Sequence, residues 1–354
     1  MPPLSEPLTG TMQLYTKSPV RLPYFDTNPS LPHTLILVGG LGDTIHSLPY
    51  AKCLSAMLHN FNFSLVEPQL SSCLGGYGQS SLEGDAQELA FCVDFLRRTE
   101  SKRDGKIILM GHFTGCQDTI AYLLSSTRAR SPFTRIDGAI LQAPVSDRED
   151  FEVGKAEDSD EMRVGRNRQE TTAKDLVSEG RGHQIVSDTA PETFPPTKAD
   201  DPEYPSQDSY DSILSRYTGN SAAVLEPALS AYRFCSLFCK GGDDDFFSSD
   251  LSDEEITSAK PGSRTIGRAV RNLSDSTALS QNQPQILAIV SQKDQYVRPG
   301  VGEALAERWQ KLLGPTGGFQ TAVIKDADHQ LERPQDQAEL VRIVAHFMIA
   351  PLIK

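Results

Sequence analysis

Five residues, Gly111-His112-Phe113-Thr114-Gly115, run from the apolar stretch Lys106 to Met110 straight into a segment of helical spacing. Glycines flanking a strand-to-helix turn allow a bend so tight that side chains there would strike the neighbouring strand and helix. This is the G-x-S-x-G pattern that exposes a nucleophile, with the nucleophile's own position taken by Phe113. Two later loops hold complementary groups: Asp294, after the apolar run Gln285 to Val290, and His329, after Thr321 to Ile324. A carboxylate that orients an imidazole, and an imidazole that takes a hydroxyl proton, complete an acyl-transfer triad in the chain order nucleophile, acid, base. The other late histidine, His346, has Leu340, Ile343 and Val344 around it and is expected to pack. Acyl transfer also needs backbone N–H donors where negative charge develops on oxygen. The glycine-rich turn Gly39-Gly40-Leu41-Gly42 offers the amide of Leu41, and the residue after the elbow offers that of Thr114. A phosphate cradle is the weaker reading of that turn, which lacks both G-x-G-x-x-G and a G-K-[ST] ending.

These loops need elements to hold them. Buried-strand signals at Thr34 to Val38, Phe63 to Pro68, Lys106 to Met110 and Gly138 to Leu141 alternate with helical spacing near Ser47 to His59, Ser81 to Arg98 and Gly115 to Ser126. Such alternation predicts an α/β fold, a mostly parallel sheet flanked by helices, whose ligand site lies outside the C-terminal strand ends. The rhythm stops from 148 to 282 and resumes with Gln285 to Val290, Thr321 to Ile324 and a closing helix from Asp336 to Ala350. The expected organisation is a core formed by residues 1–147 and 283–354, interrupted by a lid or cap insertion at 148–282. Within the insertion, Glu152 to Ser206 reads as mobile, with few aromatics, and Ser221 to Cys239 as helix-like.

A chain of 354 residues with 38% hydrophobic and 23% charged content buries a large core. The net charge of −13 argues against nucleic acid and anionic membranes as partners. Nearly all of that excess sits between residues 151 and 260, where 23 acidic residues face 11 basic ones. No run of eighteen apolar residues offers a membrane span, and the start lacks the basic and apolar regions of a signal peptide, so the expected location is cytoplasmic. The six cysteines form no C-x-x-C pair; Cys235 and Cys239, four apart with no histidine nearby, do not read as metal ligands. No cofactor is called for.

The segments VGGLGDT, GHFTGCQD, QAPVSDRE, DDDFFSSDLSD, SQKDQYV and DADHQLERP resemble the fungal α/β-hydrolase family that contains the fusarinine C esterases of siderophore metabolism, over about residues 10–354. The resemblance implies the α/β-hydrolase fold, Asp294 as the acid, His329 as the base and position 113 as the nucleophile. It implies a small-molecule ester as partner, a hydroxamate siderophore such as fusarinine C. Because that compound carries free amines, an acidic run such as Asp243-Asp244-Asp245 would favour it by charge.

Phe113 departs from the pattern. A phenyl ring has no lone pair with which to attack an ester, and its bulk occupies the place where His329 should meet a hydroxyl. Three explanations stand side by side: a disabled form of a serine esterase, a natural noncatalytic relative that binds a ligand, or another group taking over. For a takeover the sequence offers Thr114, whose hydroxyl should face away, Cys116, a turn into the helix, and water activated by His329.

Overall fold

The computed structural model of the chain describes residues 7–125, 132–157, 160–187, 227–276, 285–316 and 318–352. Their contacts divide into two compact units. The smaller comprises the described residues of Ser71–Ser81 and Ser146–Asp245; the larger runs up to Leu70, then Leu82–Val145, then from Phe246 onward.

The larger unit is built on eight strands: β1 (Thr11–Thr16), β2 (Leu22–Asp26), β3 (His33–Val38), β4 (Phe63–Pro68), β5 (Ile107–His112), β6 (Gly138–Gln142), β9 (Ile286–Ser291) and β10 (Phe319–Ile324). The pair numbered between them, β7 (Ile185–Ser187) and β8 (Leu229–Ser230), forms a separate antiparallel ladder in the smaller unit. The main sheet has the order β1-β2-β4-β3-β5-β6-β9-β10. Its first two junctions, β1 with β2 and β2 with β4, are antiparallel, and all the others are parallel. Strands covered on both faces read as unbroken apolar runs, and Leu35-Ile36-Leu37-Val38 and Ile107-Ile108-Leu109-Met110 are buried throughout. One face collects Leu35, Leu37, Ile108 and Met110 against Leu54 and Leu58 of α1 (Ala51–His59) and Val344 and Phe347 of the helix Pro334–Leu352. Helices α2 (Leu82–Arg98) and α3 (Gly115–Leu124) pack on each other, and α3 packs on β5 and β6. This is the α/β-hydrolase fold that the resemblance implies.

Several elements differ from the sequence reading. The strands β1 and β2 carry polar residues and one proline, Pro23, and lack the apolar signature, because β1 is an edge strand with Met12 and Leu14 exposed. The helix Val301–Leu313 follows β9 where only a polar loop is expected; it buries Leu305, Ala306, Trp309 and Leu313, and Trp309 meets Phe247 edge-on at 5.8 Å between ring centroids. In the stretch read as mobile, Asp147–Glu157 and Asp160–Ser178 are helices, and residues 188–206 lie outside the described ones. These helices bury little; Lys155 of the first reaches Glu170 of the second at 2.8 Å, and Lys174 pairs with Glu170 within the second helix at 2.6 Å. Of the expected helix Ser221 to Cys239, residues 221–226 lie outside the described ones, Leu229–Ser230 is strand β8, and Ala231–Phe238 is helix, capped by the Ser230 hydroxyl. Residues 246–276, including the helices Asp253–Thr257 and Ile266–Ser276, stand with the core unit. His346 is exposed rather than packed, since the buried stripe of its helix runs through Leu340, Val344, Phe347 and Met348. Among the described residues no helix is long and apolar enough to cross a membrane.

A buried ion pair ties the end of β2 to the start of β4 and the approach to β3. Lys102 Nζ lies 3.0 Å from Asp26 Oδ2 and donates to Ser64 Oγ at 2.7 Å and to the Leu31 carbonyl at 3.3 Å. Both side chains are about 1% exposed. Burial pulls the Lys102 ammonium below its usual range, and the Asp26 carboxylate opposes that. Removing one partner strands the other charge in the core. Lys102→Met is therefore expected to lower the unfolding free energy by about 3–5 kcal/mol in urea titrations followed by circular dichroism. Adding Asp26→Leu should recover most of the loss; a single variant as stable as the parent would remove the pair from the account.

Candidate active site

The elbow is shaped by what is missing at its two glycines. A Cβ on Gly111 would run into the carbonyl of Gly115, and one on Gly115 into the carbonyls of Val38 and Gly39. Between them Phe113 takes a φ of 54°. A bulky residue in this left-handed region pays about 1–3 kcal/mol in strain. The surroundings hold it there: the Phe113 amide donates to the Gln142 carbonyl at 3.2 Å, and its carbonyl accepts from the Cys116 amide at 2.9 Å. The Phe113 side chain is buried.

Asp294 and His329, 35 residues apart, come from the loops that follow β9 and β10. The loops are stitched together where the Lys293 amide donates to the Ala327 carbonyl at 2.8 Å and the His329 amide donates to Gln295 Oε1 at 3.2 Å. His329 Nδ1–H donates to Asp294 Oδ2 at 2.7 Å, and Asp294 Oδ1 accepts from the Tyr296 amide at 3.0 Å. Both side chains are buried. With Nδ1 engaged, Nε2 is the imidazole nitrogen left for proton transfer. Three rings enclose that imidazole: Phe113 at 4.9 Å and 88°, Tyr296 at 4.7 Å and 72°, and His112 at 4.8 Å and 55°. Phe113 and Tyr296 in turn stack at 5.4 Å and 25°. The structure thus brings together Phe113, Asp294 and His329, with a phenyl ring against the imidazole.

Sequence reasoning passed over the group that supports this arrangement. Gln142, buried at the end of β6, donates to the His329 carbonyl at 3.3 Å. Its Oε1 accepts from the Tyr50 hydroxyl at 3.1 Å and from His112 Nδ1–H. Burial and the neighbouring His329 push the His112 pKa down to about 3, so His112 is a neutral donor and not a second base. The available signal was position alone: Gln142, Tyr296 and His112 all sit at or just beyond C-terminal strand ends.

The glycine-rich turn is fastened by Asp43. One carboxylate oxygen accepts from the Gly40 amide at 2.7 Å and the other from the Ser47 hydroxyl at 2.9 Å. Burial raises the Asp43 pKa, opposed by those hydrogen bonds and by the charge of His329. A Cβ on Gly40 would enter the Phe113 ring, so this turn packs directly on the elbow, with Leu41 buried next in line. Thr114 is also buried and precedes α3. Cys116 is fully buried, its thiol donating to the carbonyls of Gly111 and Gln142 at 3.3 and 3.2 Å. Burial pushes that thiol well above its ordinary pKa, which removes it as a replacement nucleophile.

The acidic run expected to attract a cationic ligand is occupied within the smaller unit. Asp244 pairs with Arg233 at 2.8 Å and accepts from Ser236; Asp245 pairs with Arg148 at 3.1 Å; Asp243 accepts from the Tyr232 hydroxyl. Two of its three carboxylates are thus paired with arginines. Among the described residues no three His, Cys, Asp or Glu side chains converge so as to hold a metal ion.

Comparison with known proteins gives a family and several relatives. A family described as protein of unknown function, DUF1749, matches residues 1–200 and 199–349. Esterase AN6793 of Emericella nidulans is 28% identical, over 98% of this chain and 94% of that protein. The fusarinine C esterase sidJ of Aspergillus fumigatus is 28% identical, over 94% and 92%. Among solved structures, the siderophore hydrolase EstB from Aspergillus fumigatus superposes with a TM-score of 0.67 at 26% identity, covering 97% of this chain and 98% of that one.

Near the site, Glu67 at the end of β4 is 4% exposed; its Oε1 accepts from the His46 amide at 3.0 Å, and its Oε2 has no hydrogen-bond partner among the described residues. Burial raises its pKa from 4.5 to about 7. Between those values the unfolded chain releases the proton and the native chain keeps it, so stability falls as pH rises through the window and is level above it. Glu67→Gln should abolish this share of the fall, making the variant more stable than the parent at pH 8 by on the order of 3 kcal/mol. Urea titrations at pH 4.5 and pH 8 check this, and equal pH slopes in variant and parent would contradict it.

Proposed function

The chain belongs to the DUF1749 family, and from that premise we propose that it is a serine-esterase scaffold for a hydroxamate siderophore ester, such as fusarinine C, disarmed at its nucleophile position. The relatives named above are esterases and siderophore hydrolases, which supports carboxylic ester hydrolysis as the family chemistry. The observation that carries the reading is the edge-on contact of Phe113 with the His329 imidazole, a ring where a hydroxyl would have to stand.

With a serine at 113, His329 Nε2 would take the hydroxyl proton as oxygen attacks the ester carbonyl, and Asp294 would hold the imidazole and stabilise its charged form. The amides of Leu41 and Thr114 would donate to the oxyanion. His329 would then return the proton to the leaving alcohol, and water would release the acyl group by the same route. With phenylalanine the covalent route is closed. In this reading the chemistry belongs to the core stretches 1–147 and 283–354, and the expected cytoplasmic location suits six cysteines that are all free thiols.

A second reading, a noncatalytic module that binds the ester without turning it over, is favoured by one feature. The Phe113 ring is packed on Tyr296 as a finished part of the interior.

Reversion separates the two. Phe113→Ser is expected to raise the hydrolysis of p-nitrophenyl butyrate at least about 10³-fold over the parent, and His329→Ala in the revertant should remove that gain. Asp294→Asn in the revertant should lower kcat by roughly 10⁴. A folded but inactive revertant that still binds ferric fusarinine C in calorimetry would favour the binding module. A parent as active as the revertant would overturn the disarmed reading.

A further inference from the structure

Glu67 is the polar exception on an apolar face. In a strand alternate side chains share a face, and Phe63 and Leu65 of β4 join the core cluster with Leu54 and Leu58 of α1. Glu67, next on that face, is buried against the loop that runs from the glycine-rich turn to α1. That loop is fastened at three places. Asp43 holds the Gly40 amide at 2.7 Å and the Ser47 hydroxyl at 2.9 Å. The Thr44 hydroxyl donates to Gln69 Oε1 at 2.7 Å, and the His46 amide donates to Glu67 Oε1 at 3.0 Å. His46 has a left-handed φ of 67°, which a non-glycine residue keeps only when its surroundings fix it. The other carboxyl oxygen, Oε2, is buried with no hydrogen-bond partner among the described residues.

We propose that Glu67 is a pH-sensitive latch on the glycine-rich turn: as a neutral acid it holds the loop 43–47 closed on the end of β4, and as an anion it releases that loop. A carboxylate in water has hydrogen-bond donors on both oxygens; here the anion would have the His46 amide on one oxygen and none on the other. Burying such a charge costs more than that bond contributes. Opening of the loop restores water to the anion, and Gly42, Thr44 and Ser47 are already exposed, so the loop can lift while the sheet stays intact. In keeping with this, burial outweighs the His46 hydrogen bond and holds the Glu67 proton up to about 7. The neighbouring charges supply no counter-ion. Asp43 on the loop is itself a carboxyl, and it and Glu67 both disfavour ionisation of Tyr50, just before α1. On β2, which pairs with β4, Asp26 is taken by Lys102 at 3.0 Å, and burial raises the Tyr24 phenol to about 12. Lys52 of α1 is exposed, the charge of His329 acts on Asp43, and the ring of His46 belongs to the loop that moves. The elbow feels the latch, because a Cβ on Gly40 would enter the Phe113 ring: release at 43–47 loosens this packing and shifts the Leu41 amide that the proposed chemistry would use.

Hydrogen–deuterium exchange of the full chain, read by mass spectrometry of peptides and corrected for intrinsic amide exchange rates, tests the latch. Protection of residues 39–47 is expected to fall about tenfold per pH unit between pH 4.5 and about 7 and to level above that, the slope of one proton held closed and lost open. The β5 peptide Ile107–His112 should stay protected throughout. Glu67→Gln keeps an acceptor for the His46 amide and cannot ionise, so its turn should be as protected at pH 8 as the parent's is at pH 5. Glu67→Leu removes the acceptor, and its turn should exchange fast at pH 5 as well, with no pH slope; Trp309 fluorescence checks that both variants are folded. Three results would overturn the proposal: a parent turn equally protected at pH 5 and pH 8, the parent's slope retained in Glu67→Gln, or β5 losing protection in step with the turn, which would make the effect global. None of these readings involves turnover, so the latch and the proposed function fail separately.

Discussion

The bend at residue 113 exists because no side chain stands at 111 or 115. Each glycine leaves a gap that a carbonyl fills, and only with both gaps can β5 pass into α3 within two residues. The price is a left-handed backbone at position 113. That strain persists because hydrogen bonds to Gln142 and Cys116 and the packing of the Gly40 turn over-determine the conformation. The geometry outlives the residue that would use it: a phenylalanine that gains nothing from a left-handed φ is held in one.

Around that bend, polar and apolar requirements coexist within a few ångströms. The Asp294–His329 contact is buried among rings, where an ion pair or strong hydrogen bond repays its desolvation only with good geometry and further partners. It has both: the Tyr296 amide serves the second carboxylate oxygen, and Gln142 and Gln295 anchor the histidine backbone. Gln142 also links His329 to His112 and Tyr50, so three strand ends share one side chain. Neutral His112 completes this network without adding a charge beside His329. A connected polar cluster of this kind favours one arrangement of the loops.

Much of this was legible in the chain because its signals are local. Apolar runs such as QILAIV mark doubly covered strands, and loops at their ends gave Asp294 and His329. What escaped depends on partners remote in sequence. Gln142 looks like any polar residue after a strand until Tyr50, His112 and His329 are seen around it. The helix Ile266–Ser276 buries Ile266, Ala269, Val270 and Leu273, a true helical stripe, but it lies among arginines, serines and asparagines that hide it. The helix Asp160–Ser178 has almost no stripe, since Glu170 and its lysines do work that packing does elsewhere. In the run Asp243-Asp244-Asp245 composition shows the sign, and only folding shows that Arg233 and Arg148 pair with Asp244 and Asp245.

The chain has a single tryptophan, and Trp309 is buried against Phe247 in the larger unit. Its intrinsic fluorescence therefore reports the melting of that unit alone, while the helices of the smaller unit contribute to far-ultraviolet ellipticity without a tryptophan of their own. Superimposing the two optical signals across one thermal ramp reveals whether the insertion melts in concert with the sheet or in advance of it.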